Sequence, residues 1–364
     1  MALQLKVEKR VDVPKWLPLA TSIGSVILAF IIGGVILKFI GGQPLVAMKF
    51  FFQAVFGSWA VFSDTMVKAT PLIIVGLACA VAFKMRLWNI GAEGQFYAGA
   101  FGASMVVLVP LVPMDSPKVI VIGAMMVMGM LFGALWGFFP GYLKAKFHVN
   151  EIITTLMLNY IAILWNNFWI FDKWSDGGFQ MSPTFDRVAW LPRLADYARE
   201  YKIFSGVTLH LGVLFGIAAA VLVWWILQKS RWGYEIKLIG DNPKAARYAG
   251  INIARNITLV MMFSGALAGL AGMSEISGVV HRLQESISPG YGFTGIIVAW
   301  LAKLNPFAII IVSILFGGLI VAGREIQPAG LSFLLQGIIL FMLISSDVLL
   351  RYRIRIVRAQ EEAA

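Results

Sequence analysis

The sequence is organised into long runs of apolar residues without any charge, and the first of them covers residues 17–37. A helix of that length crosses roughly 30 Å of hydrocarbon, the thickness of a bilayer core. Only 13% of the residues are charged, whereas a soluble domain of ordinary composition has about 25%. Since so few charges cannot cover a water-facing surface, the sequence predicts an all-α, polytopic membrane protein.

Hydropathy predicts about ten membrane crossings along the chain. They lie near residues 17–37, 71–84, 94–112, 118–140, 152–171, 208–228, 257–280, 293–303, 306–323 and 330–350. The segments 71–84 and 293–303 are too short to cross as straight helices, so each is expected to be a half-helix or to extend into its polar neighbours. The partly charged, aromatic-rich stretch 44–70 predicts a segment that lies at the membrane interface.

The lysines and arginines predict the orientation, because the cytoplasmic loops of membrane proteins are enriched in both. With the N-terminus inside, the cytoplasmic pieces hold 19 of the 30 basic residues, which explains the net charge of +11 without nucleic acid as a partner. A single membrane domain, 17–350, is therefore expected between a cytoplasmic N-terminus, 1–16, and a cytoplasmic tail, 351–364. Loop 172–207 is expected outside the cell and loop 229–256 inside it.

Glycines recur every four residues within two of the predicted crossings. They are Gly129, Gly133, Gly137 and Gly141 in one crossing, and Gly265 and Gly269 in the other. This spacing puts the glycines of each crossing on one helical face, where another helix can approach closely. The pattern predicts tight helix packing rather than a ligand site.

The sequence contains no group of residues typical of an enzyme. The phosphate-binding pattern Gly-x-x-x-x-Gly-Lys-Ser/Thr is absent. Cys79 is the single cysteine and the three histidines lie far apart in the sequence. We therefore assign no catalytic residue, no metal ligand and no cofactor, and expect a transport subunit rather than an enzyme.

Polar residues interrupt the apolar pattern between two predicted crossings, where Asn89, Glu93 and Gln95 follow Trp88. A carboxylate at the centre of a bilayer costs ~2.5–3.5 kcal/mol on insertion scales, so it normally faces protein or a water-filled path. Two interpretations stay open: the segment lines a transport route, or Glu93 caps the helix that follows. A second glycine-rich interruption, Ser288–Gly292, precedes the other short crossing, and paired broken segments are typical of transport sites.

A second polar cluster begins at Asn150. Glu151, Thr155 and Asn159 are spaced four residues apart, so they share one face of the predicted helix. Such a face either forms hydrogen bonds with neighbouring helices or borders a transport route. We assign Thr155 to packing and Asn159 to the route.

The longest predicted cytoplasmic loop, 229–256, carries the signals of one short helix outside the membrane. Asn242 suits the cap of this helix, Pro243 its first turn and Gly250 its end. The helix and its borders comprise Asn242, Pro243, Lys244, Ala245, Ala246, Arg247, Tyr248 and Gly250. Ala245, Ala246 and Ala249 are small enough to allow close seating in a partner protein. Lys244 and Arg247 can pair with acidic groups there, so the helix is predicted to be a docking surface.

Four motifs within these segments resemble one family. Leu87–Gln95 resembles the Asn-Ile-Gly-x-Glu-Gly-Gln signature of ABC-importer permeases in the branched-chain amino acid and ribose superfamily. Val149–Tyr160, Asn242–Ile251 and Gly292–Ile296 are similar to the nucleoside and simple-sugar branch of that superfamily. The motifs stand in the family's order, and the chain length matches the longer of the two permeases that such importers often use.

The resemblance implies the permease subunit of an ATP-driven importer in the inner or plasma membrane of a prokaryote. Its partners would be a second, shorter permease, cytoplasmic ATPase subunits and an extracytoplasmic binding protein. Trp88, Asn89, Glu93, Gln95 and Asn159 would lie along the translocation pathway, and the short loop helix would contact the ATPase. The implied substrate is a nucleoside, with a pentose or another small polar solute as the alternative.

The sequence departs from the family's pattern at Trp88, where Phe is usual, and at Ile297 and Trp300, where smaller residues are common. Both tryptophans are therefore expected to narrow the route. An ion-coupled secondary transporter is the remaining alternative, and it would need a relay of ionisable groups inside the membrane. Carboxylates outside the loops are too few to favour that mechanism.

Overall fold

The computed structural model describes residues 3–10, 14, 16–325 and 330–358. Its helices are α1 (Leu17–Phe39), α2 (Pro44–Phe56), α3 (Trp59–Lys84), α4 (Ala92–Leu108), α5 (Lys118–Phe147), α6 (Glu151–Phe171), α7 (Gly212–Lys229), α8 (Arg231–Asp241), α9 (Pro243–Tyr248), α10 (Ile253–Glu275), α11 (Tyr291–Leu301), α12 (Pro306–Glu325) and α13 (Leu331–Arg351). Two short strands, β1 (Leu3–Lys9) and β2 (Tyr352–Arg358), accompany them. Each predicted apolar segment coincides with a helix, so the all-α fold is confirmed.

Residue contacts divide the chain into two units, and the first, Met1–Phe50 with Ala322–Ala364, joins the two ends of the chain. Within it α1 packs against α13. β1 and β2 pair antiparallel, with Leu3 opposite Arg358. This pairing puts both ends on one side, as an even number of crossings requires, whereas the cytoplasmic location of that side stays a prediction. Residues 359–364 of the predicted tail lie outside the described part.

The second unit, Phe51–Val321, is built around α10, which packs against α3, α4 and α5. A Cβ added at Gly133 would lie 2.2 Å from the carbonyl oxygen of Gly265, and a Cβ added at Gly269 would lie 2.2 Å from that of Gly129. Only glycine leaves room for such an approach, so α5 and α10 are in direct main-chain contact. The packing role predicted for these glycines is confirmed.

α3 is one continuous helix of 26 residues, so the short apolar segment 71–84 extends into its polar neighbours, one of the two alternatives expected for it. Residues 44–70 are α2 followed by the first half of α3. Lys68, which suggested an interfacial position, has a mostly buried side chain and pairs with Glu275 at 3.0 Å. This burial of charge is possible because the partner carboxylate offsets the cost of desolvation. The interfacial position of α2 stays a prediction.

Six stretches within the described residues are long and apolar enough to cross a membrane. They are Ala20–Phe39, Trp59–Lys84, Lys118–Phe147, Gly212–Lys229, Ile253–Val280 and Pro306–Gly323. α11 has only 11 residues, which agrees with the short segment expected there. The total number of crossings therefore stays a prediction.

The loop between α6 and α7 is fastened to the end of α10. The Arg193 guanidinium donates hydrogen bonds to the carbonyl oxygens of Gly278 at 2.7 Å and Val279 at 3.2 Å. Trp190 stacks on His281 with ring centroids 3.8 Å apart. Burial, reinforced by the Arg193 charge, lowers the pKa of His281 to about 4, so this imidazole is neutral at pH 7. Arg193 thereby satisfies carbonyl groups that the helix end leaves free.

Gly133→Ala is expected to lower the melting temperature of the purified protein, because the added Cβ would collide with the main chain of α10. Overpacking of this kind costs about 1–3 kcal/mol. Gly123 lies on the same helix with nothing within 4 Å of its Cβ position, so Gly123→Ala is the matched control. Thermal unfolding in detergent measures both variants. Equal melting temperatures for the two would contradict main-chain contact between α5 and α10.

Candidate functional site

The turn between α3 and α4 is held by the side chain of Asn89. Its amide nitrogen donates to Gln95 Oε1 and to Ser264 Oγ, each at 2.9 Å. Its amide oxygen accepts from the Gly91 N–H at 3.0 Å. Ser264 in turn donates to the Ala78 carbonyl at 2.7 Å. The turn is therefore tied to α3, α4 and α10 at once.

The start of α4 is capped by a residue from another helix. Asn159 of α6 accepts a hydrogen bond from the Gly94 N–H at 2.7 Å and donates one to the Ile90 carbonyl at 2.9 Å. Gly94 has to be a glycine, because a Cβ there would lie 2.8 Å from Asn159 Cα. Asn159 thus satisfies a main-chain N–H that a helix start leaves free.

Glu93 caps a helix other than the one that follows it directly in the sequence. Its carboxylate accepts from the Gly292 N–H of α11 at 2.5 Å, so it caps α11 rather than its own helix α4. Ser288 accepts from the Tyr291 N–H at 2.9 Å and also interacts with Glu93. A Cβ at Gly292 would lie 2.2 Å from the Glu93 nitrogen, so the main chains of the two helix starts are in direct contact. The two glycine-rich interruptions of the sequence meet here, at what we name the α4–α11 junction: Glu93, Ser288 and Gly292.

A charged pair that the sequence analysis missed adjoins this junction. Lys68 Nζ lies 3.0 Å from Glu275 Oε1, and the Tyr291 hydroxyl lies 3.5 Å from the same oxygen. The lysine is also 5.9 Å from the centre of the Tyr291 ring. Two opposite charges within apolar segments are a signal for such a pair. That signal was lost because Lys68 was assigned to an interfacial segment.

Trp88 lies in an aromatic cluster rather than among the amides. Trp88 and Trp300 stack with centroids 5.6 Å apart, and Phe83 lies 5.4 Å from Trp88 and 5.6 Å from Trp300. Trp300 is nine residues beyond Tyr291 in α11, about 14 Å along the helix axis. α11 therefore connects the α4–α11 junction at one end with the aromatic cluster Phe83, Trp88 and Trp300 at the other.

The polar side chains expected along the pathway are closed off in this conformation. Asn89, Glu93, Gln95 and Asn159 are all 3% exposed or less, whereas Trp88 is 41% exposed. The structure brings the four polar residues together through their hydrogen bonds with α4 and its neighbours. In this conformation they are packed inside the protein rather than exposed to water.

Loop 229–256 contains two helices, α8 and α9, and not the single one expected. The cap of α8 is Ser230, which accepts from the Gly233 N–H at 3.0 Å. α9 begins as predicted, because Asn242 accepts from the Lys244 and Ala245 N–H groups, each at 3.1 Å. Ser230 is a preferred cap residue, so it is the sequence signal that would have predicted this additional helix.

The exposed face of α9 differs from the face expected to dock. Ala246 is fully buried, so it packs within this protein and cannot contact a partner. Lys244 and Arg247 are exposed, and Tyr248 is 93% exposed. The available surface is therefore aromatic and basic.

α8 also connects the loop to the candidate site. A Cβ at Gly240 would lie 2.3 Å from the Lys84 carbonyl oxygen, so α8 touches the last residue of α3. The turn that carries Asn89 starts directly after that residue. α8 therefore contacts the chain segment that leads into the site.

Comparison with known proteins gives a consistent family. Residues 61–344 match the family described as the branched-chain amino acid transport system permease component. The glucose ABC transporter permease protein of Haloferax volcanii is 33% identical over 98% of this chain and 95% of its own length. The guanosine ABC transporter permease protein of Bacillus subtilis is 36% identical over 73% of this chain and 74% of its own. The nucleoside ABC transporter permease protein of Lactococcus lactis is 34% identical over 80% of each.

No solved structure matches the chain. Bacillus subtilis and Lactococcus lactis each supply a second permease protein similar to it, at 26% and 25% identity. These matches and the six apolar spans describe a multi-pass protein of the prokaryotic plasma membrane, in a system whose ATPase is a separate subunit. Since the family covers more than half of the sequence, the chain belongs to the branched-chain amino acid transport system permease component family, as the transport subunit of an ABC importer.

Proposed function

We propose that this permease imports a nucleoside and that the α4–α11 junction lies on the route of the substrate. The observation that carries the proposal is the arrangement at the two ends of α11. The buried carboxylate of Glu93 and the hydroxyl of Ser288 lie at one end, and the aromatic cluster Phe83, Trp88 and Trp300 lies at the other. The buried amide of Asn89 directly follows Trp88 in the chain. Amide and carboxylate groups suit ribose hydroxyls and base edges, and aromatic rings suit the flat face of a base. Two of the relatives are named for guanosine or nucleosides.

A simple sugar is the second candidate substrate. The relative that aligns with nearly the whole chain is named for glucose. Sugar hydroxyls would use the same amide groups, so the aromatic cluster is the feature that separates the two candidates.

Passage requires the junction to open, because its side chains are buried in this conformation. Glu93 and Gly292 are joined by one hydrogen bond between side chain and main chain. Separating α11 from α4 breaks this bond and leaves both polar groups to water or to the substrate. A polar solute can replace the lost partner, whereas an apolar one cannot.

The substrate assignment is tested in liposomes that contain this permease with its partner subunits. Labelled uridine and guanosine are expected to enter when ATP is supplied, and an uncoupler should leave their uptake unchanged. Glucose in large excess should not compete. ATP-dependent uptake of labelled glucose, with no uptake of either labelled nucleoside, would transfer the assignment to sugars. Uptake that needs no ATP and stops with the uncoupler would indicate an ion-coupled transporter instead.

We also assign the contact with the ATPase to the exposed face of α9. The family implies an ATPase, a second permease and a binding protein as partners. Lys244 and Arg247 can pair with acidic groups on an ATPase, and Tyr248 can fill a pocket in it. The second permease is proposed to be a different chain, as the paired proteins of Bacillus subtilis and Lactococcus lactis suggest.

Tyr248→Ala is expected to weaken ATPase binding at least tenfold, because buried tyrosine anchors are typical hot spots worth about 2 kcal/mol or more. Co-purification of the ATPase and substrate-stimulated ATP hydrolysis measure the effect. Tyr201, 58% exposed in the loop between α6 and α7, gives the matched control Tyr201→Ala. Full ATPase binding by the Tyr248→Ala protein would remove α9 from the contact.

A further inference from the structure

A groove between α5, α8 and α10 is not used by the proposed transport route. Its volume is about 930 Å³. The end further along α10 is apolar, with Leu259, Phe263 and Ala266 among its lining residues. Leu259 is 37% exposed, so this wall is open in the single chain. The groove therefore offers apolar surface at the depth of the membrane-spanning part of α10.

The other end of the groove is basic. Arg231 and Arg255 line it, and both side chains are exposed. Neither guanidinium has a carboxylate within 4.0 Å among the residues that the structure describes. The carboxylate of the groove, Glu235, instead accepts a hydrogen bond from Asn256 at 2.8 Å. The guanidinium groups of Arg231 and Arg255 are thus available to bind an anionic ligand.

The wall between these two ends is held together by a hydrogen bond and an aromatic contact. The Trp232 indole N–H donates to Asn256 Oδ1 at 2.9 Å. The Trp232 ring meets the Phe263 ring edge-on, with centroids 5.6 Å apart. Arg255 and Ala266 lie 11 residues apart on α10, about 16 Å along its axis. The polarity therefore changes once, from cationic to apolar, along a fixed surface.

We propose that this groove binds one anionic glycerophospholipid. The headgroup phosphate lies between Arg231 and Arg255, and the acyl chains run along Leu259, Phe263 and Ala266. The lipid matches the groove in charge and polarity. An anionic phospholipid has a negative headgroup at one end and apolar acyl chains at the other, and the groove changes from basic to apolar along α10 in the same order. Basic pockets between membrane helices hold acidic headgroups in this way. The bound lipid would hold α8 against α10, and α8 is the helix that contacts the end of α3.

The test is native mass spectrometry of the full chain in detergent, titrated with dioleoylphosphatidylglycerol or dioleoylphosphatidylcholine. One phosphatidylglycerol should bind in preference to phosphatidylcholine. Arg231→Gln with Arg255→Gln should weaken that binding roughly 30-fold, which is about 1 kcal/mol for each charge at 1.4 kcal/mol per tenfold change. Arg86→Gln with Arg199→Gln is the matched control, since both arginines are exposed and neither lines the groove.

Two further arms identify the source of the phosphate. Excess inorganic phosphate should not displace the lipid, because the acyl chains contribute to binding, and Ala266→Phe should weaken binding by filling the apolar end. Equal affinity for the two lipids, or unchanged affinity in the Arg231→Gln, Arg255→Gln protein, would overturn the proposal. Displacement by phosphate alone would reduce the site to a simple anion site. If Ala266→Phe does not fold, the charge variants decide.

Discussion

The structure depends on how two helices, α4 and α11, can start inside the protein, where their first residues are buried. Free main-chain N–H groups at a helix start have no water to bond with in that environment, and each costs several kcal/mol if left alone. Side chains from other segments supply the partners: Asn159 for the start of α4, and Glu93 with Ser288 for the start of α11. The polar residues of the site are thus required by the breaks in the helices. The same groups become available to a substrate when the two starts separate.

The glycine contacts of α10 make this arrangement possible. Gly265 and Gly269 let α5 approach to main-chain distance, and Gly269 also touches Gly99 of α4. That approach brings Ser264 of α10 to the side chain of Asn89. The close glycine contacts of α10 therefore position the hydrogen bonds of Asn89. These hydrogen bonds hold the turn that precedes α4.

Features that depend on a local sequence pattern could be predicted from the sequence, whereas contacts between residues far apart in the sequence could not. The cap at Asn242 and the four-residue glycine spacing that includes Gly133 are local patterns, and both features were found from the sequence. The pair Lys68 and Glu275 is separated by 207 residues, so no local pattern joins them. Ala246 was expected to face a partner, yet helix phase alone does not say which side of a short loop helix the protein covers. Asn159 was assigned to the transport route, which stays a prediction, and its hydrogen bond with Gly94 at the start of α4 followed only from the fold.

The central claim is that the α4–α11 junction opens to water during transport. Cys79 is the only native cysteine and is buried in α3, so a second cysteine can be labelled selectively. In the Ser288→Cys protein, assembled with its partners in liposomes, a charged thiosulfonate should react slowly at rest. The reaction should become faster when ATP and loaded binding protein are added, and slower again with excess nucleoside. A thiol at residue 288 that stays unreactive in every state of an actively transporting complex would contradict the account.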